Sequence, residues 1–125
     1  MIKNEIIKIG LIQASASKNL GENLSKAEKS IAEASKKGAN IVCLQELFAT
    51  RYFAQAENKE FFRLAEKIPG KTADFLSNCA KKNNVFLIGG SMFEKGEDSK
   101  YYNTSLIFDK EGKIIGKYRK VHIPY

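Results

Sequence analysis

The run Ile41-Val42-Cys43-Leu44 constrains this chain more than any other stretch. Four apolar side chains in succession read as a short strand buried on both faces, the kind that parallel sheets require. Gln45-Glu46 follows at once, so the run ends on a carboxylate, and Leu47-Phe48 then turns apolar again. In open α/β sheets, ligands collect beyond the carboxyl ends of the strands. Glu46 therefore has two readings: a solvated acid opening a surface loop, or a site carboxylate whose partner lies elsewhere in the chain.

The flanking sequence says which kind of sheet this is. Residues 6–14 form a first strand, with Ile7, Ile9 and Leu11 on one face and Ile6 and Ile12 on the other. After a polar break, Leu20, Leu24, Ala27, Ile31 and Ala34 recur at helical spacing, and Gly38 suits the left-handed position that closes a helix. With a strand over 41–45 this makes a βαβ unit, whose crossover is expected to be right-handed. Residues 47–57 lack a clear period and predict a loop above the strand ends. A short helix over 59–67 is stopped by Pro69-Gly70, and a second opens with Thr72 as its N-cap and turns Phe75, Leu76, Cys79 and Ala80 inward. Strands over 85–93, 101–109 and 113–119 follow. The expected class is α/β: a βαβ unit, two helices, then a three-strand meander.

Composition narrows the function. A chain of 125 residues suits one sheet-centred core. Hydrophobic residues at 43% and charged ones at 28% exclude a disordered chain. No apolar run reaches bilayer-spanning length and no signal-peptide core precedes the first strand, so a cytoplasmic protein is expected. The net charge of +7 raises nucleic acid as a partner. However, Lys26, Lys29, Lys36, Lys37, Lys81, Lys82 and Lys110 are scattered along helix faces and turns, without interleaved aromatics. A solvated basic surface is expected, with neither nucleic acid nor membrane as partner. Cys43 and Cys79 lack metal-type spacing and fall at apolar positions, so both are read as inert thiols, and no metal or cofactor is expected.

The partner for Glu46 lies near the far end, where the last strand runs into Tyr118-Arg119-Lys120-Val121-His122-Ile123-Pro124. A carboxylate and an ammonium converging over one rim of a sheet suit acyl transfer to a cysteine. The carboxylate takes a proton from the thiol and passes it to the leaving amine. The lysine favours the thiolate and the oxyanion of a tetrahedral intermediate. From spacing alone this is a weak signal, because Arg-Lys at a strand end is most often surface charge.

Four segments in order carry a resemblance: Lys8-Ile9-Gly10-Leu11-Ile12-Gln13, the strand end at Glu46, Tyr102-Asn103-Thr104, and Tyr118 to Pro124. The sequence resembles the amino-terminal part of the nitrilase, or carbon–nitrogen hydrolase, superfamily over essentially its whole length. The resemblance implies an α-β-β-α sandwich and a Glu-Lys-Cys triad, with Glu46 as general base and Lys120 as the second member. It places Asn103 and His122 as site support, which each could equally be as a structural polar group. Glu46-Leu47-Phe48 with Arg51-Tyr52-Phe53-Ala54-Gln55-Ala56-Glu57 is similar to the N-carbamoylputrescine amidases, which release putrescine, carbon dioxide and ammonia. Tyr52 would then stand at the substrate entrance, offering an aromatic face to an alkylammonium group. The expected partner is a small N-carbamoyl amine, in a homo-oligomeric enzyme. The family cysteine follows the Arg-Lys motif, and neither Cys43 nor Cys79 matches it. Residues 1–125 are therefore expected to be the amino-terminal portion of one hydrolase domain, inactive alone. Another amidase or nitrilase of the family, or a non-catalytic interaction module, are the competing readings.

Overall fold

A computed structural model of the chain describes residues 5–51 and 59–123. The order is β1 (Ile9–Leu11), α1 (Leu20–Lys36), β2 (Ile41–Cys43), a 3₁₀ turn (Lys59–Leu64), α2 (Lys71–Asn83), β3 (Phe86–Ile88), β4 (Met92–Lys95), β5 (Tyr101–Phe108) and β6 (Ile114–Arg119). Strands β1, β2 and β3 run parallel, as the βαβ pattern predicts, and β3 meets β5 in antiparallel sense. The eight-residue β5 is the hub of the six-stranded sheet: β3 and β4 share one of its edges, and β6 takes the other.

The expected strand over 85–93 is thus two strands. Gly89-Gly90-Ser91 breaks the ladder between them, and β4 pairs with the first half of β5 while β3 pairs with its end. Gly90 has φ +56°, and a Cβ there would lie 2.1 Å from the carbonyl oxygen of Gln45. The break is therefore the place where the backbone before Glu46 presses against the sheet, and only glycine fits. The helix expected over 59–67 is a shorter 3₁₀ turn. Thr72 does not cap α2: Gly70 is the N-cap, and Glu66 reaches in from outside, accepting from the Thr72 amide at 3.0 Å and from its hydroxyl. A glycine has no side chain to accept these bonds, so a preceding acid does so.

Both helices cover one face. The α1 stripe buries Leu24, Ala27 and Ile31, with Leu20 and Ala34 partly buried beside them. Asn19 caps that helix by accepting from the Glu22 amide at 3.0 Å, and Gly38 follows it at φ +93°. The α2 stripe buries Ala73, Leu76, Cys79 and Ala80 in the same core. Beneath them, Val42, Leu87 and Phe108 stand in register across three strands and are each 0% exposed.

The alternate residues of the same strands tell the opposite story. Leu11, Cys43, Ile88 and Ile107 form the next cross-strand row, and Ile9, Ile41 and Phe86 another. Leu11 is 80% exposed, Ile9 61%, and Phe86 and Ile107 37% each. The strand period of two puts one row under the helices and leaves the other open. This is one α-β half of an α-β-β-α sandwich, with the apolar sheet face that a second sheet covers in that architecture.

Candidate active site

Glu46 leaves the end of β2 over this open face. The chain around it is held unusually firmly for a turn. Leu47 has φ +49°, a left-handed conformation that a bulky residue rarely adopts. Its amide donates to Ser91 Oγ at 2.9 Å, and Leu47, Phe48 and Ala49 are all buried. Asn23 of α1 adds a second tether: its Nδ2 donates to the carbonyls of Ser17 and Ala49 at 2.9 Å each, and its Oδ1 accepts from the Ser17 amide at 2.8 Å. Strain at a strand end, locked from both sides, is a feature of places where a side chain must point in one direction.

That direction is toward β5 and β6. Asn103 Nδ2 and Lys120 Nζ both donate to Glu46 Oε1, each at 2.8 Å. Among the described residues, Oε2 accepts no hydrogen bond. Asn103 is 3% exposed, whereas the Glu46 and Lys120 side chains are 48% and 37% exposed. The Lys120 amide donates to the Asn103 carbonyl at 2.9 Å, so the last rung of the β5–β6 ladder fixes the two side chains next to one another. The hydrogen bond from Lys120 holds the Glu46 carboxyl below the usual carboxylate range; partial burial opposes this, and the Asn103 bond and the lysine charge reinforce it. At neutral pH the pair is a carboxylate with an open oxygen beside an ammonium.

A cleft of about 320 Å³ opens at this point, lined by Cys43, Glu46, Ser91, Asn103, Tyr118 and Lys120 among others. Two larger hollows of about 620 Å³ lie elsewhere, one along β1 and α1 and one beside the 3₁₀ turn, and neither contains the acid–base pair. Cys43 reaches the cleft wall, but desolvation raises its pKa, and its Sγ is turned to the Leu44 carbonyl at 3.6 Å. Burial pushes the Cys79 thiol up to about 11, under α2 and away from the cleft. Neither thiol is poised as a nucleophile.

The structure brings Glu46, Asn103 and Lys120 together as the sequence suggests. His122 is exposed and is not among the residues lining the cleft. Tyr52 lies outside the described residues. Ser91 and Gly90, which shape the Glu46 turn, escaped the sequence reading. Their only signal was a Gly-Gly-Ser break inside an apolar run, and the contact they make spans more than forty residues.

The structure thus sets a strand-end carboxylate against a lysine and an asparagine over the open face of the sheet. The carbon-nitrogen hydrolase family profile matches residues 8–125, and the chain belongs to that family, within the nitrilase superfamily. It is 41% identical over 116 residues to omega-amidase NIT2-B of Xenopus laevis, covering 93% of this chain and 40% of that protein. It is 38% identical over 123 residues to N-carbamoylputrescine amidase of Solanum lycopersicum, covering 98% of this chain and 40% of that protein. Among solved structures, Saccharomyces cerevisiae Nit3, a member of branch 10 of the nitrilase superfamily, superposes with a TM-score of 0.82 at 37% identity. That match covers 93% of this chain and 44% of Nit3. The chain spans about 40% of the length of the relatives it matches.

Proposed function

We propose that the protein hydrolyses the terminal carbon–nitrogen bond of an N-carbamoyl amine, N-carbamoylputrescine being the leading substrate. In this reading Glu46 is the general base, Lys120 the electrostatic partner, and the nucleophile a cysteine following Lys120 in the complete enzyme. The observation that carries it is the Glu46 carboxylate, on the cleft wall with Lys120 and Asn103 both on Oε1, which leaves Oε2 to serve as the proton acceptor.

The chemistry follows from that geometry. Oε2 takes the thiol proton as sulfur attacks the carbonyl carbon, and the Lys120 ammonium stabilises the oxyanion that forms. The tetrahedral intermediate collapses as Glu46 passes the proton to the leaving nitrogen, so ammonia departs and a carbamoyl thioester remains. Water, deprotonated by the same carboxylate, then cleaves the thioester, regenerating the thiol. The released carbamate breaks down to amine and carbon dioxide.

A second reading is supported by the similarity to the omega-amidase. An ω-amide and an N-carbamoyl amine both end in a primary carboxamide, so the same residues serve either. The difference lies in the far end of the substrate, a carboxylate in the monoamide of a dicarboxylic acid and an ammonium in N-carbamoylputrescine. Ammonia release from the two by the full-length enzyme separates the readings: the higher kcat/KM identifies the substrate class. Glu46→Gln is expected to lower turnover of both by about 10²- to 10⁴-fold, and near-normal ammonia release by that variant would remove the proposed role of Glu46. Assembly into a homo-oligomer, as the family resemblance implies, belongs to the same proposal and is checked by light scattering of the full-length protein.

A further inference from the structure

A second carboxylate lies just across the sheet. Glu94 of β4 is 3% exposed and accepts four hydrogen bonds: Thr104 Oγ1 at 2.7 Å, Lys117 Nζ at 2.9 Å, Arg119 Nε at 2.9 Å and Arg119 Nη2 at 3.0 Å. Arg119 also stacks on Tyr102, its Cζ 3.9 Å from the ring centroid, and the Tyr102 hydroxyl bonds Asp98. A carboxylate so saturated has no oxygen to spare for substrate.

Its partners, however, are the sequence neighbours of the site. Thr104 follows Asn103, and Arg119 precedes Lys120. Thr104 and Arg119 are themselves paired in register between β5 and β6. Strand alternation sends Thr104 and Arg119 to the helix-side face, where Glu94 binds both, and sends Asn103 and Lys120 to the open face, where Glu46 binds both. Two dipeptides, Asn103-Thr104 and Arg119-Lys120, are thus each held by one carboxylate on each side of the sheet. Lys120 is the residue after the last position of β6, where a strand end frays unless something ties it down.

We propose that Glu94 is a positioning residue for the acid–base site: by clamping Thr104 and Arg119 it sets the end of β6 so that Lys120 meets Glu46. The inference rests on reading Glu46 and Lys120 as the catalytic pair. With the clamp released, Lys120 no longer holds a hydrogen bond to Glu46, and the carboxyl loses the interaction that chiefly keeps it ionised. The acid limb of the kcat/KM profile then moves to higher pH, since that limb reports the free enzyme's base.

The test is full-length Glu94→Gln, assayed for ammonia release from N-carbamoylputrescine and from a dicarboxylic acid monoamide across pH. We expect kcat/KM to fall about 100-fold, the order that a misplacement of about 1 Å costs, with the acid limb displaced upward. Val85→Ala, in the core just before β3 and so at the end of the sheet opposite the cleft, is the destabilised control and leaves the limb in place. Thr104→Val removes one bond to Glu94 and keeps its ion pairs, so it serves if Glu94→Gln does not fold. It is expected to move the limb in the same direction by less. An unmoved limb with kcat/KM within twofold of wild type, in whichever of the two variants folds, overturns the inference. If Glu46→Gln is inactive, that result leaves the site reading standing; an active Glu46→Gln overturns both.

Discussion

Glu46 and Glu94 are bound by similar partners and are left in opposite states. Glu46 is met by Lys120, just past β6, and by Asn103 of β5; Glu94 is met by Lys117 and Arg119 of β6 and by Thr104 of β5. Glu94 is almost wholly buried and both its oxygens are occupied, whereas the Glu46 side chain is 48% exposed and both its bonds fall on one oxygen. The difference teaches that a paired carboxylate is read by what remains open on it. A saturated one is committed to its partners, and one with a spare oxygen beside a cleft is still open to a ligand.

The largest expected effect breaks the comparison from the Glu46 side. In the full-length enzyme Glu46→Gln should lower kcat/KM by about 10²- to 10⁴-fold, the range for loss of a general base, while shifting the thermal midpoint little because the pair is half exposed. Steady-state assays beside thermal melts read both halves of that statement. A large loss of stability with little loss of rate would reverse the roles assigned to the two acids.

The next effect belongs to Glu94 and to pH. Burial alone would raise its pKa, but hydrogen bonds from Arg119, Lys117 and Thr104 outweigh that and bring it down from 4.5 to about 2. A carboxyl depressed in the folded state stabilises fully above its unfolded value, and that contribution is lost as pH falls toward its folded value. Stability owed to Glu94 should therefore fade between about pH 4.5 and about pH 2, by a total on the order of 3 kcal/mol. Urea midpoints of wild type and Glu94→Gln measured down this range should converge as the acid titrates. Parallel curves would mean that the clamp contributes nothing specific.

The smallest effect provides a baseline away from both acids. Asn19→Ala removes the α1 cap and should cost about 1 kcal/mol in denaturant unfolding, with kcat/KM and its pH limbs unchanged. A shift in the limbs from this variant would show that the pH profile reports general destabilisation, and would blunt the distinction drawn between Glu46 and Glu94.

Much of the fold was legible because hydrophobic period survives without tertiary information. The Leu24-Ala27-Ile31 stripe, the buried strand before Glu46 and the βαβ order follow from spacing alone. Errors arose where a distant residue decided the local outcome. Thr72 has the chemistry of an N-cap, yet Glu66 supplies the capping oxygens. The apolar pattern over 85–93 reads as one strand, but the Gln45 carbonyl pressing on Gly90 divides it. Ile9 and Leu11 look like core residues by composition and are exposed on an uncovered sheet face.

For the site, Glu46 and Lys120 read from spacing alone as surface charges at strand ends, and it was the family motif that paired them. Glu94 gave no such sign, since an acid in Met92-Phe93-Glu94-Lys95 reads as the end of a strand. By itself, the sequence determined the βαβ order, the buried stripes of both helices and the family, because these depend on local period and on motifs of adjacent residues. Only the tertiary structure decided which oxygen of Glu46 stays open, that Asn103 shares the other with Lys120, and that Glu94 grips the same two dipeptides from behind. Those facts depend on the register between β4, β5 and β6, and a shift of one residue would send every one of these side chains to the opposite face.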